Sequence, residues 1–320
     1  MVTFKGTREA FSAAMMELAE QDSRYVLVLA DSLAAMRAAR FAERYPERVF
    51  DVGIAEQNAV GVAAGLASCG LIPFVATYAG FITMRACEQV RTFCAYPGLN
   101  VKFVGANGGL FAGEREGVTH QFFEDLGIMR AIPCITIVTP SDPAQTRQAT
   151  HAIAQVNGPC YLRIGSGREH DLFDADEPFE LGKARVLAEH GGGNDVALLT
   201  TGLVLNRVQE AAERLAAEGI GATVAEVHTL RPLDREAIAA LARRTGAVVT
   251  IEDHNVLGGL GSAVAEVIAE EGLAAPLVRV GLQDVFPESG EAESLLDAYG
   301  MGITDVMAAA RRAMERARSR

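Results

Sequence analysis

The chain has 320 residues, enough for about two domains of roughly 150 residues each. Hydrophobic residues make up 49% and charged residues 22% of the sequence, an ordinary composition for a globular protein. The net charge of −12, from 29 basic and 41 acidic residues, argues against a general nucleic-acid binder, because phosphate recognition needs clustered Lys and Arg.

The cysteines and the hydropathy pattern argue against disulfide-rich, zinc-binding and membrane proteins. The five cysteines form no CxxC pair and are odd in number, so we expect neither a disulfide framework nor a zinc site. No apolar run reaches the roughly 18 residues that a membrane span needs. The N-terminal stretch MVTFKGTREAF has no apolar signal-peptide core. We therefore expect a soluble, cytoplasmic protein with reduced thiols and no membrane association.

Short apolar runs alternate with helical patterns through the first half of the chain. Helices are predicted over TREAFSAAMMELAEQ, EQNAVGVAAGLASCG, FITMRACEQVRTFCAY and SDPAQTRQATHAIAQ. Strands are predicted over YVLVLAD, RVFDVGI, IPFVATY, NVKFVGAN, CITIVTP and CYLRIG. This alternation is typical of a parallel α/β sheet.

The pattern weakens after residue 167 and then resumes. Residues 168–190 are polar, acidic and rich in turn formers, so we predict a linker there that carries a short strand or two. Strands DVALLTTG, ATVAEVHTL, AVVTIEDH and LVRVGL follow, with helical stretches between them. The sequence thus predicts an α/β fold with two domains, residues 1–167 and residues 191–320.

Glu56 is the first residue that invites a functional interpretation. It is the one acid between a short apolar run and a stretch of mostly Ala, Val and Gly, at a predicted strand-to-helix junction. A buried carboxylate costs several kcal/mol unless it is paired, hydrogen-bonded or protonated. An acid that caps its own helix is the simpler explanation from spacing alone. A ligand that shares a proton with the carboxylate is the alternative.

Other candidates also have a structural alternative. His120 follows a segment with five glycines between residues 105 and 117 and could act as an acid or base, or be a surface residue. Tyr78 and Phe81 could stack on a flat ring or belong to the core. Arg8 and Arg163 could bind a phosphate or form ordinary ion pairs. His254, at a predicted strand end, is best explained as a structural histidine.

Four segments, in this order, carry a resemblance to a known family. They are DVGIAEQNAVGVAAGLASCG, PFVATYAGF, EGVTHQFFEDLGIMRAIP and VTPSDPAQ. Together they resemble the C-terminal half of thiamine-diphosphate enzymes of the transketolase type. The resemblance implies a parallel-sheet, pyrimidine-binding domain followed by a transketolase-like C-terminal α/β domain.

The resemblance also implies roles for the candidate residues. Glu56 matches the glutamate that hydrogen-bonds N1′ of the cofactor's aminopyrimidine ring and so activates the cofactor. Tyr78 and Phe81 match the rings that pack against the pyrimidine, and Asp31 matches an acid near the cofactor. His120 matches the histidine that contacts donor hydroxyls and assists proton transfer.

The expected substrate contacts differ in part from the family pattern. Arg8 and Arg163 align with arginines that hold a sugar phosphate. Glu116 stands where transketolases have a substrate-contacting Asp, while Ala35 replaces a phosphate-binding Ser, and the His near the start of the Gly-rich loop is missing. Arg115, Arg168 or His170 could supply substitute contacts. The resemblance therefore implies transfer of a two-carbon ketol unit from a ketose, which we expect to be phosphorylated, to an aldose, but it leaves the particular sugars open.

The missing half of the cofactor site implies a partner. The sequence contains no GDG motif, which in this family precedes the Asn of the diphosphate and Mg²⁺ site. The resemblance therefore implies an N-terminal partner subunit that holds Mg²⁺, no metal ligands in this chain, and an α2β2 assembly. A 2-oxo-acid dehydrogenase beta subunit, a deoxyxylulose-phosphate-synthase-like enzyme and a non-catalytic regulatory subunit are the alternatives.

Overall fold

The computed structural model describes residues 4–110, 116–167, 169–175 and 177–319. These residues form two β-sheets, of seven and five strands, that follow one another along the chain. Within those ranges no helix is both long and apolar enough to cross a membrane. The α/β fold predicted from the alternating sequence pattern is confirmed.

The first sheet contains the six strands of the first half of the chain and one later strand. They are β1 (Tyr25–Leu29), β2 (Val49–Asp51), β3 (Ile72–Tyr78), β4 (Lys102–Ala106), β5 (Thr136–Val138), β6 (Cys160–Arg163) and β10 (Thr229–Arg231). Their order is β10-β5-β6-β4-β3-β1-β2; β1 to β6 run parallel to one another, and β10 is antiparallel to β5. In such a sheet the carboxyl ends of the strands share one edge, where ligands bind.

Helices cover both faces of this sheet. The helices of the first half are α1 (Thr7–Gln21), α2 (Ala39–Arg44), α3 (Glu56–Ser68), α4 (Cys87–Gln89), α5 (Asp125–Ala131) and α6 (Pro143–Ala154). Side chains of α1, α2 and α6 pack on one face, and side chains of α3 and α5 pack on the other. Short 3-10 turns occupy Pro46–Arg48 and Gly117–Thr119.

The helix predicted over residues 81–96 is not a regular α-helix. Phe81–Arg85 and Val90–Ala95 are π-helical, on either side of the short α4. Each π turn holds one more residue than an α turn, which shifts the side chains that follow it, and such turns are frequent at functional sites. Hydrophobic spacing alone could not separate this geometry from an α-helix.

The second sheet contains five strands. They are β7 (Arg185–His190), β8 (Val196–Thr201), β9 (Ala222–Glu226), β11 (Val248–Asn255) and β12 (Leu277–Leu282), in the order β12-β11-β8-β9-β7. Only β7 is antiparallel to its neighbour, β9. This strand lies within residues 168–190, the segment that the sequence predicts as the linker.

Two helical layers also enclose the second sheet. The helices are α7 (Leu205–Ala217), α8 (Arg235–Thr245), α9 (Leu260–Glu270), α10 (Ala292–Ala298) and α11 (Ile303–Arg318), with a 3-10 turn at Gly202–Val204. Side chains of α7, α10 and α11 form one core with the sheet, and side chains of α8 and α9 form the other. Each half of the chain thus has the three-layer arrangement of an α/β domain.

The two halves are joined by hydrogen bonds as well as by the chain. The predicted strand ATVAEVHTL is divided: β9 stays in the second sheet, whereas β10 pairs antiparallel with β5 of the first. Beside this exchange, Glu226 is fully buried and accepts hydrogen bonds from Ser141 Oγ at 2.5 Å and Gln145 Nε2 at 2.9 Å. Burial raises the pKa of Glu226 to about 7 from its ordinary value of 4.5.

We expect Glu226 to make folding stability depend on pH. Because its pKa is higher in the folded state, its contribution is complete below about pH 4.5 and is lost as the pH rises to about 7, by on the order of 3 kcal/mol. Glu226→Gln removes the charge, while its amide can accept from Gln145 Nε2 and donate to Ser141 Oγ, so it should reduce the pH dependence of thermal stability between pH 5 and 8. Glu213→Gln, at an exposed acid on α7, serves as the control. An unchanged slope in the Glu226 variant would contradict this account.

Candidate active site

The candidate site lies at the carboxyl edge of the first sheet. Tyr78 ends β3, Asp31 follows β1 by two residues, and Asn107 directly follows β4. Glu56 is the first residue of α3, which begins after a turn at Gly53 with φ +72°. A left-handed φ favours glycine, because a Cβ would be strained there.

Glu56 is buried but paired. Its side chain is 5% exposed, and Arg85 Nη1 donates a hydrogen bond to its Oε1 at 2.8 Å. The neighbouring positions on the inner face of α3, Ala59, Val60 and Ala63, are fully buried against the sheet. Small side chains allow this close packing, which holds the first turn of the helix and its carboxylate at the sheet edge.

Three rings form a contiguous cluster, which Arg85 links to this carboxylate through its contact with Phe81. The Tyr78 and Phe81 ring centroids lie 5.4 Å apart, and the His120 ring lies 5.2 Å from Tyr78 and 5.3 Å from Phe81, all edge to face. His120 Nδ1 is also 3.1 Å from Thr119 Oγ1. The structure thus brings together Tyr78, Phe81 and His120, which are 42 residues apart at most in the sequence.

Gly80 explains why these rings approach so closely. A Cβ at Gly80 would lie 2.0 Å from the ring of Phe122, so only glycine allows the turn after β3 to pack against that ring. Phe122 in turn lies 5.3 Å from Phe81, ring centroid to centroid. The segment that carries His120 is therefore packed directly on the turn that carries Phe81.

Arg8 lies on the other side of Tyr78. It is buried, and its guanidinium lies 5.6 Å from the Tyr78 ring centroid. Its donors are held by Gly165 O and Ala35 O, both at 3.2 Å, and by Asn107 Oδ1. Burial lowers the pKa of Arg8, and the nearby Arg37 lowers it further, whereas Tyr78, Glu169 and Glu116 raise it. Asn107 thus occupies one donor of a guanidinium predicted to bind phosphate.

A basic cleft opens beside Arg8. It has a volume of about 540 Å³ and is lined by Lys5, Arg8, Arg37 and Arg40, with Glu9 as its one carboxylate. Arg37 and Arg40 are exposed, and neither makes an ion pair with any described residue. A local excess of positive charge in a chain of net charge −12 is a feature that needs a ligand or a functional explanation.

Asp31 and Glu116 are exposed at the edges of the site. Asp31 has a φ of +55°, and its backbone N–H donates to Asp51 Oδ1 at 2.8 Å. Glu116 directly precedes the 3-10 turn Gly117–Thr119, and its charge acts on Arg8. Neither carboxylate has a hydrogen bond to the ring cluster within the described part of the chain.

Arg163 is placed differently from Arg8. It is 4% exposed, its Nε donates to Asp125 Oδ2 at 2.9 Å, and its Nη2 donates to Phe122 O and Asp253 O. Tyr161 Oη donates to the same Asp125 oxygen at 2.6 Å. Burial disfavours the charge of Arg163, but the carboxylates of Asp125 and Asp253 outweigh it and raise its pKa. This network joins the two halves of the chain behind the site.

His254 has the environment of a structural histidine. It is fully buried, with Nδ1 2.7 Å from Asn255 O and Nε2 accepting from Gly127 N–H at 3.4 Å. Burial lowers the pKa of His254 to about 4, so the ring is neutral at physiological pH. Its two ring nitrogens are occupied by backbone groups, as the structural interpretation of the sequence requires.

The sequence did not single out three arginines of the site. Of the three residues proposed as substitute substrate contacts, only one is described. Arg85, Arg37 and Arg40 were not singled out, although the first follows Phe81 by four residues and the others follow Ala35 within five. Arg115 and Arg168 lie outside the described residues. His170 is described, and its Nε2 is 3.6 Å from Glu293 Oε1 of α10.

The chemistry of this donor set fits one half of a thiamine-diphosphate site. A buried carboxylate at a helix start, next to flat aromatic rings, suits a heteroaromatic ring with a basic nitrogen. Among the described residues no three His, Cys, Asp or Glu side chains are grouped so as to hold a metal ion. The residues therefore fit the pyrimidine end of the cofactor.

Comparison with known families agrees with this arrangement. Residues 5–167 match the profile of "Transketolase, pyrimidine binding domain", and residues 182–306 match "Transketolase, C-terminal domain". The chain therefore belongs to the transketolase family, whose members transfer ketol units with thiamine diphosphate. The family predicted from the four sequence segments is confirmed.

Similar proteins of nearly the same length are named as a subunit or a section of a transketolase. The 6-deoxy-6-sulfo-D-fructose transketolase subunit SqwH of Clostridium sp. (strain MSTE9) is 43% identical over 97% of this chain and 94% of its own. A protein of Methanocaldococcus jannaschii described as a transketolase C-terminal section is 40% identical, over 98% and 96%. This chain accordingly corresponds to the C-terminal subunit of a split transketolase.

A solved structure has the same fold throughout. It is described as a split gene transketolase in an inactive beta4 tetramer, with a TM-score of 0.89 and 43% identity over 97% of this chain and 98% of that one. A 1-deoxy-D-xylulose-5-phosphate synthase of Syntrophotalea carbinolica is less similar, at 37% identity, and the match covers only 47% of the synthase. The deoxyxylulose-phosphate-synthase alternative is thus the weaker match.

We expect the Arg163–Asp125 pair to be essential to the fold that supports the site. Asp125→Ala leaves a buried guanidinium without its carboxylate and should lower the free energy of unfolding by about 3–5 kcal/mol. Asp22→Ala is the control, since it removes a surface pair with Arg24 that is worth at most about 1 kcal/mol. Thermal or denaturant unfolding measures both, and equal losses would contradict the assignment.

Proposed function

We propose that this chain supplies the pyrimidine-binding half of the active site of a two-chain transketolase. The enzyme would move a two-carbon ketol unit from a ketose with a terminal anion to an aldose. The single observation that carries the proposal is the buried Glu56 carboxylate at the start of α3, which Arg85 links to Phe81 and so to the ring cluster with His120. We further propose that residues 1–167 form the cofactor-binding domain, and that residues 191–320, after the linker 168–190, form the C-terminal domain.

The proposed roles follow from the chemistry of each side chain. Thiamine diphosphate, when bound, supplies a nucleophilic carbon that adds to the carbonyl of the donor sugar. Glu56 would hold a proton at N1′ of the pyrimidine ring, in a dry setting that strengthens this hydrogen bond. Tyr78 and Phe81 would pack against the ring and exclude water. Asp31, exposed at the end of β1, would lie near the cofactor.

His120 would act on the substrate. Its ring contacts Tyr78 and Phe81 by their edges, so it faces the same space as the rings proposed to hold the cofactor. Imidazole suits both the binding of a donor hydroxyl and the movement of its proton near neutral pH. Glu116, exposed before the same 3-10 turn, would accept a hydrogen bond from another hydroxyl.

The proposal also includes a partner subunit and a metal ion. An N-terminal transketolase subunit would hold Mg²⁺ and the diphosphate, since the sequence has no GDG motif. The two chains would assemble as α2β2. Without the partner we expect this chain to bind the cofactor weakly, because half of the contacts would be missing.

The anionic end of the donor would be held at Arg8. Its guanidinium lies next to Tyr78, between the ring cluster and the basic cleft, so a sugar that reacts near His120 has its far end directed there. Arg37 and Arg40 line the same cleft and are proposed as the cations that replace the missing family contacts. Arg163 would contribute through Nη1, since no described residue accepts a hydrogen bond from that nitrogen.

We expect Glu56→Gln in the assembled enzyme to lower kcat by about 100-fold to 10,000-fold, the usual contribution of a positioned proton-transfer group. Glu236→Gln, at an exposed acid in the first turn of α8, should leave the rate unchanged. A steady-state assay with ketose donor and aldose acceptor measures both. Full activity in the Glu56 variant would exclude the proposed function.

We expect Arg37→Ala to raise KM roughly tenfold for a donor with a terminal anion, because a hydrogen bond to a charged group is worth about 1.5–3 kcal/mol. D-fructose 6-phosphate and 6-deoxy-6-sulfo-D-fructose are the two donors to compare, with unmodified D-fructose as the neutral reference. KM for the neutral ketose should stay the same.

The control for this experiment is Arg312→Ala, at an exposed arginine on α11 in the other half of the chain. We expect Arg312→Ala to leave KM unchanged for both the charged and the neutral ketoses. If Arg37→Ala raises KM equally for charged and neutral ketoses, the cleft does not bind the anion. If pyruvate replaces the ketose as an efficient donor, the synthase-like alternative is favoured instead.

A further inference from the structure

Arg85 makes two contacts at once in the candidate site. Its Nη1 donates to Glu56 Oε1 at 2.8 Å, and the centre of its guanidinium lies 3.6 Å from the Phe81 ring centroid. The second distance is the normal separation of two stacked flat groups. The guanidinium therefore covers one face of Phe81 while it neutralises the buried carboxylate.

These are the two contacts that the proposed function gives to the cofactor's pyrimidine ring. That ring is also flat, donates or shares a proton with Glu56, and packs against Phe81. An arginine side chain can make the same two contacts as the pyrimidine ring, because a guanidinium is planar, stacks on aromatic faces and donates N–H hydrogen bonds in its plane. On the Phe81 face that Arg85 covers, a stacked ring and the guanidinium cannot both be present.

The two partners differ in their freedom to move. Glu56 is held by the packing of α3, whereas the Arg85 side chain is 48% exposed. The Arg85 backbone is tied to α3 by a hydrogen bond from Gln57 Nε2 to its carbonyl oxygen at 3.0 Å, so only the side chain needs to swing. Arg85 also ends the π turn Phe81–Arg85, a local geometry often found where a helix has a functional adjustment.

A place for the released side chain lies next to it. A cleft of about 380 Å³ is lined by Phe81, Arg85, Thr119 and Glu124, among others. Glu124 is the one carboxylate in that lining, so it provides the guanidinium with a new partner after Glu56 is taken. Burial raises the pKa of Glu124, an effect that a nearby guanidinium would oppose.

We propose that the Arg85 side chain occupies the place of the pyrimidine ring. Arg85 must leave Glu56 and Phe81 before the cofactor can bind. This inference rests on the proposed function. Arg85 keeps the buried carboxylate paired while the site has no ring in it, and its contacts are given up on binding. Only molecules in which Arg85 has left Glu56 and Phe81 can bind the cofactor. The apparent affinity for the cofactor is therefore the intrinsic affinity multiplied by the fraction of such molecules.

The test measures cofactor binding rather than turnover. The complex of this chain with its N-terminal partner is freed of cofactor and titrated with thiamine diphosphate by calorimetry at fixed excess Mg²⁺. Arg85→Met removes the positive charge and the planar guanidinium group but keeps a side chain of similar length. We expect its Kd to fall about tenfold, from the loss of a cation–π contact and a half-exposed ion pair. Arg91→Met, at an exposed arginine of the second π turn, is the matched control and should keep the wild-type Kd.

An unchanged or higher Kd in Arg85→Met would overturn the proposal, because it would mean that Arg85 does not compete or that it supports the bound state. Arg85→Lys keeps the charge without the plane, so its Kd should fall by less than that of Arg85→Met. A Lys variant that binds no more tightly than the wild type would likewise contradict competition by stacking. Thermal unfolding of each cofactor-free complex checks that the variants are folded.

Glu56→Gln separates this inference from the proposed function. If the Gln variant binds thiamine diphosphate as tightly as the wild type and keeps its activity, the function assigned to Glu56 fails. If it binds weakly while Arg85→Met binds like the wild type, the function stands and only the exchange of Arg85 is wrong.

Discussion

The site depends on one constraint, a carboxylate held out of water at the start of a helix. Glu56 is 5% exposed, and an unpaired buried charge costs several kcal/mol. The packing of small side chains on α3 fixes its position, and Arg85 supplies the opposite charge. Arg85 also connects this pair to the ring cluster, through Phe81, and to the cleft of about 380 Å³ that it lines.

The second half of the chain is tied to the segments that carry the site, and its Phe286 lines the cleft beside Phe81. Arg163, which is paired with Asp125 in the first half, also donates to the carbonyl of Asp253 in the second, and β10 completes the first sheet from a later part of the chain. These contacts are buried and charged, so they are costly to break. They hold the segment with His120 against Phe81, which makes the aromatic cluster a product of both halves.

Much of this was readable from the sequence. The alternation of strands and helices predicted the α/β fold, and four ordered segments identified the family. Glu56 could be singled out because one acid among Ala, Val and Gly is conspicuous. Arg85, Arg37 and Arg40 could not, because a lone arginine has the same local pattern whether it lies on an ordinary surface, lines a cleft or pairs with a buried carboxylate. The division of ATVAEVHTL between two sheets also had no local signal, since strand pairing is decided by distant partners.

The sequence by itself determined the order of the elements, the family and the identity of the buried acid, because these depend on residue type and on local periodicity. Only the tertiary structure decided which side chains meet: Arg85 with Glu56, Asn107 with Arg8, and Asp125 with Arg163. The partners in these pairs are 29, 99 and 38 residues apart. Such contacts arise from the packing of whole elements, and no pattern within a single helix or strand specifies them.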